Sequence, residues 1–232
     1  MQPTFDSTRL EQRAQPSVDE SSAGSAIPLF FGTAGRPLFG WYHPAGQRTR
    51  PRHGVVICAP FGYEMMRTHR ACRHLAQQLA TSGVPALRFD YDGTGDSAGS
   101  DHDPGRVNAW LSSVGQAIEE LKARGGVTDI ALFGIRFGAL LAAEYARRRP
   151  VDALVLMAPI VSGRALAREL RAIEAMKTGR SSDNADVDQE SLGYHLSSAT
   201  LADLASIDLL KDTGRSAAHA LIIGRQDLPS LG

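Results

Sequence analysis

The chain has 232 residues, long enough for one large α/β core and short for two. Its 25 Lys and Arg balance 25 Asp and Glu, so no net charge favours nucleic acid or a polybasic membrane anchor. No apolar run reaches the roughly 18 residues of a membrane span, and Cys58 and Cys72 alone form neither a disulfide framework nor a metal-site spacing.

Residues 1–25 are polar, rich in Ser, Gln, Glu and Asp, and lack periodicity, so they read as a disordered tail ahead of a single domain over 26–232. The first 26 residues also lack the basic start and apolar stretch of a secretion signal, and the expected location is the cytoplasm. Residues 27–31 and 38–43 predict a hairpin across the turn at 32–35. A buried strand follows at 53–59, an amphipathic helix at 68–82 stopped by Gly83, and a strand at 84–90. A loop rich in Gly and Asp runs to Pro104, followed by a helix at 105–124, a strand at 128–133, a helix at 136–149 and a strand at 151–158. Alternation of strand and helix, with continuously apolar strands, implies a mostly parallel, doubly wound sheet.

After Pro159 the pattern changes. A basic amphipathic helix is predicted over 162–177, a polar loop over 178–189, and one or two short helical pieces over 191–210. Strand character returns at 217–224. An insertion of roughly fifty residues is longer than an ordinary connection, which makes 160–214 a candidate cap over the strand ends. Its basic residues Arg164, Arg168, Arg171, Lys177 and Arg180 suit either support of a bound anion or, in the plainer reading, a solvated face paired with Glu169 and Glu174.

The segment Gly134-Ile-Arg136-Phe-Gly138 joins a predicted strand directly to a predicted helix. That context is the one in which G-x-S-x-G forms a nucleophile elbow, here with arginine at the central position. A guanidinium stays protonated and offers only donors, so Arg136 is no nucleophile. Two readings follow for it. In one, Arg136 pairs with an acid such as Asp227; in the other, the cation and the free N–H groups of the helix start clamp an anionic ligand. The five letters Gly95-Asp-Ser97-Ala-Gly99 also match G-x-S-x-G, but breakers rather than a helix follow Ser97, so it reads as a loop serine. The same glycines imitate a dinucleotide fingerprint and fail for the same reason, leaving no cofactor expected.

Three stretches in order resemble the α/β-hydrolase superfamily over residues 27–227, in particular bacterial serine aminopeptidases and monoacylglycerol-lipase-like proteins: Val55-Val-Ile-Cys-Ala-Pro60-Phe61-Gly62, Phe89-Asp90-Tyr-Asp-Gly93-Thr-Gly95-Asp-Ser97, and Gly134 to Gly138. The arginine in the third is similar to a group of hydrolase-like proteins associated with exosortase systems. The resemblance implies hydrolysis of ester, thioester or peptide bonds, an α/β-hydrolase fold with an inserted helical cap, and oxyanion or substrate-binding positions at Phe61, Gly62 and Phe137. It also places Asp227 at the acid position of a triad. Arg136 departs from the pattern at the nucleophile, and no histidine follows Asp227, so weak or absent activity is expected, with the final strand of the fold missing from this chain. His195 and His102 are the candidate substitutes for the absent base. The alternatives to catalysis are binding of a small acyl or anionic ligand and docking of a protein partner.

Overall fold

The computed structural model describes residues 25–46, 51–178, 188–191, 194–211, 214 and 216–224. The expected tail up to residue 24 and most of the polar loop at 178–189 lie outside these residues. In chain order the elements are β1 (Ile27–Thr33), β2 (Arg36–His43), β3 (His53–Cys58), α1 (Tyr63–Thr81), β4 (Ala86–Phe89), α2 (Arg106–Gly125), β5 (Asp129–Ile135), α3 (Phe137–Arg148), β6 (Val151–Met157), α4 (Gly163–Thr178), β7 (Gln189–Ser191), β8 (Tyr194–Leu196), α5 (Ser198–Ala205) and β9 (Ala217–Ile223).

Seven strands form one sheet in the order β1-β2-β4-β3-β5-β6-β9. From β4 to β9 the pairs are parallel, and β1 and β2 add an antiparallel hairpin beyond β4. Side chains alternate between faces, as the strand period of two requires. Val56, Leu87 and Leu132 pack with the α2 and α3 residues Val114, Leu121 and Leu140 on one face. Ile57, Ala86 and Ile135 pack with Cys72 and Ala76 of α1 on the other. The chain leaves β3 for β4 on one side and reaches β5 on the other, so the ends of β3 and β5 flank a topological switch point.

Two predicted elements differ in the structure. Helix α1 begins at Tyr63 rather than at 68, because Gly62 adopts φ 61° and ψ −135° and turns the chain straight from β3 into the helix. Such a backbone is open to glycine and costly for other residues. The second difference lies in 191–210, where among the described residues α5 is the one helical piece and its approach is not helical. Gln189–Ser191 and Tyr194–Leu196 pair instead as a two-stranded ladder. Ser197 stops that ladder and caps α5, its Oγ accepting a hydrogen bond from the Thr200 N–H at 3.1 Å.

The segment between β6 and β9 packs onto the body of the domain, with Leu166, Leu170, Leu196, Leu201 and Leu204 continuous with the main apolar core. Helices α4 and α5 meet closely. The Gly163 N–H donates to the Ile207 carbonyl at 2.9 Å, and a Cβ on Gly163 would stand 1.7 Å from the Leu204 carbonyl oxygen. No described helix is long and apolar enough to cross a membrane.

Candidate functional site

Arg136 forms the turn between β5 and α3 with φ 53° and ψ −113°, a conformation that costs a non-glycine residue about 1–3 kcal/mol. Surrounding structure holds it there. Its N–H donates to the Met157 carbonyl at 3.0 Å, and its own carbonyl accepts from Ala139 and Leu140 at 3.1 and 3.2 Å. The flanking glycines are required by close approach: a Cβ on Gly138 would sit 2.1 Å from the Cys58 carbonyl oxygen, and one on Gly134 2.5 Å from the Ala139 Cα. Helix α3 thereby presses its first turn against the ends of β3 and β5.

The Arg136 side chain is only 14% exposed and runs between two carboxylates. Its Nε donates to Glu64 Oε1 at 3.1 Å, and its Nη2 donates to Glu169 Oε1. Glu64 stands in the first turn of α1 and Glu169 on α4, so one guanidinium joins three elements. The expectation that Arg136 pairs with an acid is met by different partners than the one named. Asp227 lies outside the described residues. With two carboxylates on one cation, the cluster carries a net negative charge, and Arg136 is not the free cation that an anion clamp needs. Glu169 therefore serves Arg136 and not the basic residues of its own helix. Arg164 and Arg168 on that helix are exposed; Arg180 and the Lys177 side chain lie outside the described residues.

Beside this cluster is a cavity of about 640 Å³. Phe61, Trp110, Phe137, Leu170, Leu196 and Leu204 give it mostly apolar walls, and Arg136, Arg67, Glu64 and Glu169 stand on its lining. The Phe61 ring packs against Tyr194, Phe137 and Trp110 with centroid separations of 4.4, 5.2 and 5.6 Å. Phe61, Gly62 and Phe137, which sequence reasoning placed together, thus meet at the junction of β3, α1 and α3. As the first residues of α3, Phe137 and Gly138 have N–H groups with no carbonyl of their own helix to meet. Glu64 and Glu169 were missed as site residues because they lie 72 residues before and 33 after Arg136. An acid two positions past a glycine turn, in a helix's first turn, was the available signal for Glu64.

The remaining candidates are placed elsewhere. Ser97 Oγ donates to the Asp90 carbonyl at 2.6 Å and accepts from the Phe39 N–H at 2.9 Å, a structural role in the loop. His195 stacks on His102 at 4.2 Å, its Nε2 lies 3.3 Å from Asp188, and neither ring lines the cavity. Burial pushes the Cys58 thiol up to about 12 and raises Cys72, which leaves both as packing residues and not as thiolate nucleophiles.

The family model for serine aminopeptidase, S33, matches residues 49–211. Human Protein ABHD12B is 34% identical over 102 residues, which are 40% of this chain and 27% of that protein. The uncharacterized protein Rv2307c of Mycobacterium tuberculosis (strain ATCC 25618 / H37Rv) is 34% identical over 131 residues, 55% of this chain and 43% of that one. The chain therefore spans less than half the length of either relative. Among solved structures, Est1E from Butyrivibrio proteoclasticus superposes with a TM-score of 0.66 at 19% identity, covering 89% of this chain and 81% of Est1E. The alpha/beta hydrolase GrgF from Penicillium sp. sh18 gives 0.60 at 20% identity, over 88% and 81%. At such identities the superpositions speak for the fold alone. With the family model covering most of the chain and the same fold in these structures, the chain belongs to the serine aminopeptidase S33 family of α/β hydrolases.

Proposed function

We propose that this family member holds an uncharged acyl chain in the 640 Å³ cavity without cleaving it. The observation that carries the reading is Arg136 at the β5–α3 turn, tied to Glu64 and Glu169. In the family's chemistry this turn is the nucleophile elbow, and the residue there must give up a proton and attack a carbonyl carbon. A guanidinium does neither. The N–H groups near Phe61, Gly62 and Phe137 remain suited to an ester or thioester carbonyl, and residues 160–214 serve as the cap over the chain. Phe61, Trp110, Phe137, Leu170, Leu196 and Leu204 favour methylenes, and Arg136, already paired with two carboxylates, is not free to receive a carboxylate or phosphate head. Water activation by Glu64 or Glu169 is the competing route to hydrolysis; both carboxylates are already engaged by the Arg136 guanidinium.

The test compares dodecanol with dodecanoate, with Trp110 in the cavity wall as a fluorescence reporter. Dodecanol binds more tightly. Shortening the alcohol to octanol weakens binding on the order of 100-fold, four methylenes at about 0.8 kcal/mol each. A p-nitrophenyl decanoate substrate is hydrolysed no faster than in buffer. Turnover of that ester, covalent labelling of a serine by a fluorophosphonate, or tighter binding of dodecanoate that is lost in Arg136→Ala would each defeat the proposal.

A further inference from the structure

We infer that a second cavity, between α1 and the β2–β4 pair, binds a small zwitterion of the amino-acid class, seating its carboxylate on Arg88 and its ammonium on Asp90 and Asp96. This cavity measures about 430 Å³, within the range of small-molecule sites, and shares only Thr68 with the lining of the Arg136 cavity. It does not rest on the function proposed above.

Arg88 is the reason to expect a ligand. Strand alternation puts Leu87 in the core facing α2 and turns Ala86 and Arg88 toward α1. There the Arg88 residue is 8% exposed. The one hydrogen bond of its side chain among the described residues runs from Nε to His43 Nε2 at 3.2 Å, and no described carboxylate lies within ion-pair distance, so Asp90 acts on it only at longer range. Burial, followed by the charges of Arg88 and Arg73, pulls His43 down to about 4, so at neutral pH the imidazole accepts that bond as a neutral group and cancels no charge. The other arginine buried as a whole among the described residues has a carboxylate partner, although the Nε atoms of Arg106 and Arg171 meet none. Arg106, buried to 2% exposure, has Asp92 at 2.6 Å. Among the described buried arginines, Arg88 alone lines a cavity with no carboxylate in direct contact, an arrangement that costs stability unless an anion completes it.

The rest of the lining says which anion. Asp90 stands two residues further along the same chain segment, and its Oδ2 accepts the Asp96 N–H at 3.1 Å. Asp96 lines the same cavity. Two carboxylates oppose a phosphate or dicarboxylate and suit an ammonium. Burial lowers the Arg88 pKa and raises that of Asp90, in each case toward the neutral form. A zwitterion lying between them relieves both at once. Phe39, Trp41 and Met66 supply an apolar wall for its side chain, with the aromatic faces favourable to the ammonium.

L-Leucine, L-methionine and L-phenylalanine are titrated calorimetrically into the full chain, with L-leucinamide lacking the carboxylate and N-acetyl-L-leucine lacking the ammonium. At least one amino acid binds. Each control binds about tenfold or more weakly, the loss expected for a charge-assisted hydrogen bond. Arg88→Met removes binding and raises the urea midpoint of the free protein, since a buried unmatched charge is replaced by an apolar chain of similar length. Arg88→Lys keeps the charge, loses the forked geometry, and binds more weakly than the native chain. Failure of all three amino acids at millimolar concentration overturns the inference. So does undiminished binding of leucinamide, affinity retained in Arg88→Met, or, if that variant does not fold, affinity retained in Arg88→Lys.

Discussion

Arginine occupies three unlike environments in this chain, and the surroundings rather than the residue type set its role. Arg136 is strained in its backbone and doubly paired, Arg88 is buried without a counter-ion, and Arg106 shares Asp92 with Arg36. The Asp92 group is the most demanding of these for folding. Burial by itself pushes its carboxyl up, but hydrogen bonds from Arg36 and Arg106 outweigh burial and hold it below the ordinary 3.8. A depressed folded value means that this stabilisation is complete above the unfolded value and lost as the pH falls through the lower folded one. Asp92→Asn is expected to cost about 3–5 kcal/mol at neutral pH, because two arginines lose a buried partner. Urea unfolding across pH 2–7 checks the sign: the native chain should lose stability below about pH 4, and the variant should show a shallower fall there. Equal slopes would mean that Asp92 is not the titrating group. The loop motif Phe89-Asp90-Tyr-Asp-Gly93 was readable in sequence, whereas its arginine partners were not, since Arg36 comes from the hairpin 56 residues away.

At the scale of elements, α4 decides the shape of the cavity. It supplies Glu169 to Arg136 and Leu166 and Leu170 to the apolar wall, and it is held against α5 at Gly163. The amphipathic pattern announced this helix and its buried stripe. What the pattern could not give was the angle of approach, which depends on a carbonyl of Leu204 some forty residues later lying where a side chain on 163 would be. Gly163→Ala is therefore expected to push α4 away from α5, at about 1–3 kcal/mol. Amide hydrogen exchange should quicken along α4 while α2 and β5 keep their protection. Unchanged exchange in α4 would show that the contact is not what seats the helix. The short β7–β8 ladder escaped sequence reading for a related reason: three-residue strands carry too little periodicity to separate from helix, and pairing alone defines them.

Among the described residues, the sheet buries its centre and the β9 flank presents an apolar, exposed face. Leu221 and Ile222 of β9 are 55% and 65% exposed, and β9 pairs only with β6 among the described strands. An exposed apolar strand at a sheet edge is prone to self-association. Ile222→Lys should reduce concentration-dependent light scattering without lowering the unfolding midpoint, because the replaced side chain contributes little buried area. Scattering that does not change would place any association elsewhere on the surface.

Sequence by itself determined the succession of the main-sheet strands and their helices, the parallel sheet, and the turn at Gly134 to Gly138, since these follow from local propensity, apolar period and short-range steric demands. It also determined that Arg136 cannot be a nucleophile, which is a property of the guanidinium wherever it lies. Only the tertiary structure decided what surrounds that arginine. Glu64 and Glu169 reach it from distant segments, selecting the acid-paired reading over the anion clamp and making Arg136 a pin between α1, α3 and α4. The same holds for Arg88, whose missing counter-ion becomes visible once α1 closes over the sheet. Charge compensation depends on separation in space, and a linear sequence fixes such separations only for near neighbours.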